Sequence, residues 1–562
     1  MLILVALLGA CAPATSTPGG RSGSGAADAP RSGAPKKLVT AVLDIPTTLS
    51  GTINTAGAGS RRGVSELEMF VSAGMVVRDG AGTLRPVLAE AVPTLENGLW
   101  KLLPDGRMET TWKIRQGATW HDGTPFTSKD LLFTTQVGQD KELAQLSATG
   151  YKYLESVEAP DARTFVAHWK QAYIDAGTMF SAEFTVPIPE HILAKAYQED
   201  KANFVQEPYW STEFVGTGPF KLRNWEGNVY LTLQAHDTFV LGRPKIDEIE
   251  VRFIPDPNTL ITNVLAGEVQ ASLGRGLAPE QGLQMQSQWR DGRVAMESVN
   301  WHALYPQFVN PNPAVLTDLR MRIALLELID RQQMSDTFLA GLSPVADSFV
   351  NPSTREYKAI ESSIVRYPYN PRHAAQLVEE LGYRKGADGM YEDAAAQKLN
   401  IEDRTTAGDD IREKYLLAIA DFWKQAGVGT ESVIIPRQRS NDREYRAVRP
   451  AFELTRQPID YSRFLSDEIP LPSNNFTGNN RARYANADLD GLIQKYFVTI
   501  PETERNQVLG GIVRHMTENL VLPGLLYALE PDFISNRLDG VQPVVYDGSR
   551  ATWNAWEWTL KS

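Results

Sequence analysis

The sequence predicts a mixed α/β protein of two large lobes, and three observations carry that reading. Apolar residues make up 42% and charged residues 22% of the 562 positions. That balance builds a sizeable core and excludes collagen-like, disulfide-scaffold and wholly disordered chains. Strand-like alternation and helix-like periodicity follow one another along the chain. No internal repeat or heptad array interrupts them over a body of about 520 residues, so two lobes are expected. The formal charge of −12 comes without a basic block, which argues against nucleic-acid binding. After Leu8 no apolar run approaches the ~18 residues of a membrane span.

Taken in order, the chain begins with an apolar run that ends at Cys11, its one cysteine. A short apolar stretch closing in small residues has the character of a signal-peptide core. Leu8-Gly9-Ala10-Cys11 resembles the bacterial lipobox, so 1–11 is expected to be a lipoprotein signal peptide ending at a lipidated Cys11. No Lys or Arg precedes the run, as expected if the natural start lies further upstream. Residues 12–35 are Ala, Pro, Ser, Thr or Gly at 21 of 24 positions. Such a stretch cannot bury enough apolar surface to offset chain entropy, and 12–36 is expected to be a flexible tether.

Strands are expected at 38–43, 110–115, 164–169 and 246–254, where apolar and β-branched residues run together or alternate. Helices are expected at 316–339, 372–381 and 413–426. In the last of these Leu416, Ile419, Ala420 and Trp423 share a face, and Gly427 reads as its stop. His121-Asp122-Gly123 reads as a turn, with Thr127 capping a helix whose early Asp130 favours the N-terminal dipole.

Motifs of catalysis are missing from the sequence. There is no nucleophile elbow, phosphate loop, zinc-binding His pair or Cys-x-x-Cys, and Gly57, Gly59 and Gly63 do not match a dinucleotide fingerprint. The seven histidines include no i,i+3 or i,i+4 pair. No catalytic residue, metal ligand or cofactor is therefore assigned, and the chain is not read as an enzyme.

Four segments together carry a resemblance. The first comprises VLAEAVP at 87–93, LPDG at 103–106 and WKIRQGATWHDGTPFTSKD at 112–130. The second is GTGPFKL at 216–222 with GRPKID at 242–247, IPDPN at 254–258 and LAGEVQ at 265–270. The third is MRIALLELIDR at 321–331, and the fourth is YNPRHAAQL at 369–377 followed by LGY at 381–383. This set resembles family 5 of the bacterial extracellular solute-binding proteins, the peptide- and nickel-type receptors of ABC importers. The first block is read as scaffold, not as site.

The resemblance implies a two-lobed, periplasmic-binding-protein-like clamp of type II, with mixed sheets and a discontinuous first lobe. Lobe I is expected at 37–298 and 520–562, with a subdomain inserted at about 60–200, and lobe II at 299–519. The crossings then lie near 298–301 and 519–523. It also implies a receptor that captures a peptide or peptide-like solute between the lobes and hands it to ABC permease subunits. The receptor would work as a monomer held through its lipid to the extracytoplasmic face of the cell membrane, in the periplasm or at the cell surface. Binding of an oligosaccharide, metal chelate, haem or opine, a sensor role and a surface hydrolase are the alternatives.

In peptide-binding members an Asp of the second lobe pairs with the ligand's α-ammonium. The nearest match is PIDYSRF at 458–464, with a spacer three positions shorter and without the Pro that the family carries in it. It nominates Asp460 and Tyr461 as ligand-binding residues. Arg456 is nominated for a ligand carboxylate, and Trp301, beside the expected crossing, as a floor for the cleft.

Overall fold

The computed structural model describes residues 35–561 except 56–61, 275, 440–441, 458–459 and 547–548. Cys11 and the expected tether up to residue 34 lie outside the described residues.

Ten strands form one mixed sheet, and four more form a smaller antiparallel one. In chain order they are β1 (Lys37–Val42), β2 (Trp100–Leu102), β3 (Met108–Lys113), β4 (Leu154–Asp161), β5 (Thr164–Trp169), β6 (Phe220–Glu226) and β7 (Tyr230–Ala235). They continue with β8 (Glu248–Phe253), β9 (Ala271–Leu273), β10 (Gly292–Pro306), β11 (Asn400–Thr406), β12 (Gly429–Ile435), β13 (Phe452–Gln457) and β14 (Gly524–Ser535). The large sheet runs β12-β11-β13-β10-β14-β9-β1-β8-β7-β6, and the small one β2-β3-β5-β4. In the large sheet β1 pairs parallel with β8 and β9, and β11 parallel with β12 and β13, while the other pairings are antiparallel.

β10 and β14 tie the large sheet together. They pair antiparallel from Gly292↔Ser535 to Ala303↔Gly524, with register shifts between Ser298 and Asn300 and between His302 and Ala303. The first half of β10 lies where β14 also meets β9, and its second half takes β13 as a further partner, from Trp301↔Gln457 to Pro306↔Phe452. A β-bulge adds local twist and bend, so the irregularity falls where the sheet passes from one set of neighbours to the other.

The small sheet buries Trp112, Phe165 and Trp169 completely, in one core with Trp120 and Phe180. The expected turn at His121 stitches this region to the 216–218 segment. The Gly216 N–H donates to His121 Nδ1 (3.1 Å), and Nε2–H donates to the Gly218 carbonyl (3.1 Å). Burial pushes His121 down to about 3, so it holds this post as a neutral ring. Helix α1 (Val64–Val71) packs in the core of the large sheet, and α2 (Ser128–Gln139) starts at Thr127, whose N–H donates to Asp130 (2.8 Å).

The helix expected over 316–339 is instead two: α3 (Leu319–Glu327) and α4 (Arg331–Leu339). Asp330 breaks it, because its carboxylate accepts from the Gln333 N–H (2.8 Å) and caps a new helix. α5 (Pro371–Glu380) and α6 (Asp410–Ala426) follow, and Gly427 ends α6 in the left-handed conformation (φ 98°). Leu416, Ile419 and Trp423 of α6 are fully buried, while Ala420 is half-buried. Two more helices, α7 (Ala487–Val498) and α8 (Glu502–Glu518), precede the return through β14. Among the described residues no helix is long and apolar enough to cross a membrane.

Candidate ligand-binding site

A cavity of about 1390 Å³ opens among segments that the chain visits far apart in sequence. One side is formed by the start of α1, residues 76–78 and the short 3₁₀ turn Ile174–Thr178; another by the 3₁₀ turn Tyr461–Phe464, the end of α7 and residues 350–356; the C-terminal stretch adds Tyr546, Trp553 and Trp556. Drug-sized ligands occupy pockets of roughly 300–1,000 Å³, so this space admits a longer molecule.

Asp460 and Tyr461 both line it. Asp460 caps its own turn: Oδ1 accepts from the Ser462 N–H (3.0 Å) and hydroxyl (2.6 Å), and Oδ2 from Arg463 Nε (3.3 Å). Its side chain is 44% exposed, so Oδ2, with one long contact, can accept from a ligand. The Tyr461 ring stands edge-on to Tyr496 (4.7 Å) and against Phe349 (5.7 Å).

Trp301 and Arg456 are placed elsewhere. Trp301 is 3% exposed and packs on Phe349 (6.1 Å), which in turn carries Tyr461. It supports the cavity from beneath without lining it. Arg456 lies opposite His302 in the sheet and is ion-paired to Glu530 of β14, which occupies its guanidinium away from the cavity.

The cavity also holds charged groups that sequence patterns did not single out. Glu68 on α1 is buried, and burial raises it to about 7 against the Gly51 N–H and Arg550. Burial likewise pushes Asp175 up to about 6, with Glu183 and Asp460 adding to the rise and Arg78 and Arg505 opposing it. Arg78 forks onto Glu183 (2.8 and 2.9 Å) and lies over the Tyr546 ring (4.8 Å). Among the described lining residues seven are carboxylates and four are Lys or Arg, an acidic surplus. No group of three or more metal-ligating side chains is assembled among the described residues.

Along its whole length the chain is 22% identical to the oligopeptide-binding protein AppA of Bacillus subtilis, over 100% of this chain and 97% of that protein. Two solved structures share its architecture at low identity. The oligopeptide-binding protein of Thermus thermophilus, complexed with a pentapeptide, superposes with a TM-score of 0.72 at 23% identity, over 93% of this chain and 96% of the other. NikA of Brucella suis, in complex with Fe(III)-EDTA, gives 0.74 at 18%, over 93% and 100%. Both are similar in fold, so the mixed sheets here belong to a two-lobed clamp. Residues 83–455 match the bacterial extracellular solute-binding proteins, family 5 (middle region), and the chain belongs to that family.

Proposed function

We propose that this protein is the extracytoplasmic receptor of an ABC importer, capturing a peptide in the 1390 Å³ cavity and delivering it to the permease. The observation that carries the choice of ligand is the cavity's acidic surplus around the half-exposed Asp460. A peptide brings an α-ammonium to such a surface, whereas an EDTA-type chelate brings more negative charge. The proposed lobes are 37–298 with 520–562, and 299–519; the register shifts at Ser298/Asn300 support a crossing there. Anchoring through a lipidated Cys11 completes the reading, supported by the lipobox resemblance. Wild type should partition into detergent on expression in a bacterial host and Cys11→Ala into water, and equal partitioning of both would remove the anchor.

In this reading Asp460 takes the ammonium of the bound peptide, and Tyr461 closes over it. A charge-assisted hydrogen bond of ~1.5–3 kcal/mol corresponds to roughly 10- to 150-fold in affinity. Asn caps a helical turn as well as Asp, so Asp460→Asn keeps the local fold while deleting the charge. Calorimetry with a pentapeptide recovered from a random library should show a loss in that range. A loss below about fivefold, or ~1 kcal/mol, would move the ammonium site elsewhere in the cavity.

A further inference from the structure

Asp460 does not stand alone in the cavity wall. The turn Ile174–Thr178 touches α7, and α7 touches the turn that Asp460 caps. Asp175 and Asp460, which reach the cavity from opposite sides of the expected lobe division, are thereby brought into each other's field. The arginines nearest to Asp175 are committed: Arg78 to Glu183 (2.8 Å), and Arg505 to the Ile500 carbonyl (2.6 Å). Tyr173 shares a side-chain hydrogen bond with Asp175 and feels the charge of Asp460, and its ring tilts against Tyr153 (4.9 Å). Tyr461 and Tyr496 meet on the other side. Asp460 keeps one long contact to a cation, Arg463 (3.3 Å), and is 44% exposed, so the two carboxylates stand beside aromatic faces in a cavity wall with an acidic surplus. Ammonium and guanidinium groups are held well in such surroundings.

We propose that Asp175 is a second specificity-determining residue: one cationic group of the ligand sits between Asp175 and Asp460, a carboxylate from each side. The inference rests on the peptide-receptor reading above and adds to it a requirement. The cavity selects ligands that carry a free amine or guanidinium, because only these offset the repulsion between the two walls. Burial is the main cause of the raised pKa of Asp175, and the charge of Asp460 adds to it.

The test uses an arginine-free random pentapeptide library with free amines and the same library with its amines acetylated. Native mass spectrometry then reads what wild type, Asp175→Asn, Asp460→Asn and the double variant retain. Wild type should prefer the free-amine library at least tenfold. Asp175→Asn should lose at least tenfold affinity for a recovered free-amine peptide, and with it the preference. Because both carboxylates serve one cation, the double variant should fall no more than about fivefold below the weaker single one. Asp175→Asn within twofold of wild type would overturn the inference while leaving the peptide reading intact. So would a wild type that holds free and acetylated peptides equally, a result that needs no variant to fold. A wild type that retains neither library would overturn the peptide reading and this inference with it.

Discussion

Glu453 on β13 is 1% exposed and faces three guanidinium groups, paired to Arg446 and to Arg481 (3.2 Å), with Arg449 beside them. Burial alone would raise its pKa; Arg481, Arg446 and Arg449 outweigh burial and pull it to about 2. The folded-state pKa thus lies below the ordinary value of 4.5. Its stabilisation is complete above that value and is lost as pH falls from there toward 2. Removing one member of a buried charged group leaves the others uncompensated, at a cost of ~3–5 kcal/mol. Glu453→Gln should therefore lower the urea midpoint strongly at pH 7, and the gap to wild type should narrow at pH 3. An equal gap at both would show that the carboxylate charge is not what stabilises this cluster. The same residue scale decides what could be read from sequence alone. Asp460 and Tyr461 stood out because a recognisable segment carries them. Asp175 and Glu68 sit in segments without a motif, and only tertiary burial makes them unusual. Trp301 was drawn to the site by its place near the crossing, but a strand residue faces one side or the other, and this one faces the core.

At the scale of elements, local pattern reached the strands well: β5 spans 164–169 as expected, and β1 and β8 agree to within a few residues. Their neighbours were not legible, because the order β13-β10-β14-β9 joins segments hundreds of residues apart and period-two alternation says nothing about partners. The broken helix at Asp330 shows the reverse case, a local cap outweighing a continuous apolar pattern. Where β14 enters the sheet the packing leaves no space for a side chain. A Cβ on Gly524 would lie 2.0 Å from the Ala346 carbonyl oxygen and 2.5 Å from the Trp301 ring. The same glycine's carbonyl accepts from the buried Arg331 (2.9 Å), so the strand cannot shift without loosening that bond. Overpacking of this kind costs ~1–3 kcal/mol or more. Gly524→Ala should lower the melting temperature by several degrees, and a variant as stable as wild type would show that this strand end is free to move.

For the whole molecule the question is whether the walls of the cavity move. Besides the large sheet itself, the contacts between the proposed lobes include the turn Ile174–Thr178 against α7, Ile500 against the core of the small sheet, and the ion pair of Lys414 on α6 with Glu280. Both partners of that pair are more than 40% exposed, and such pairs are worth only ~0–1 kcal/mol. Against them stands the charge of Asp460, which adds to the pKa rise that burial gives Asp175. A ligand shifts a two-state equilibrium only by its differential affinity for the two states, and a cation between these carboxylates has that differential built in. The two crossing strands, bulged at Ser298/Asn300, offer the bend about which the lobes can turn. The ligand-free protein in solution should thus be more open than this structure. Small-angle scattering should show the radius of gyration falling when a recovered free-amine pentapeptide is added to saturation. The fall should be absent with its acetylated form, which cannot supply the charge. A saturated sample with an unchanged scattering profile would mean that the lobes are locked and that recognition happens in a preformed cavity.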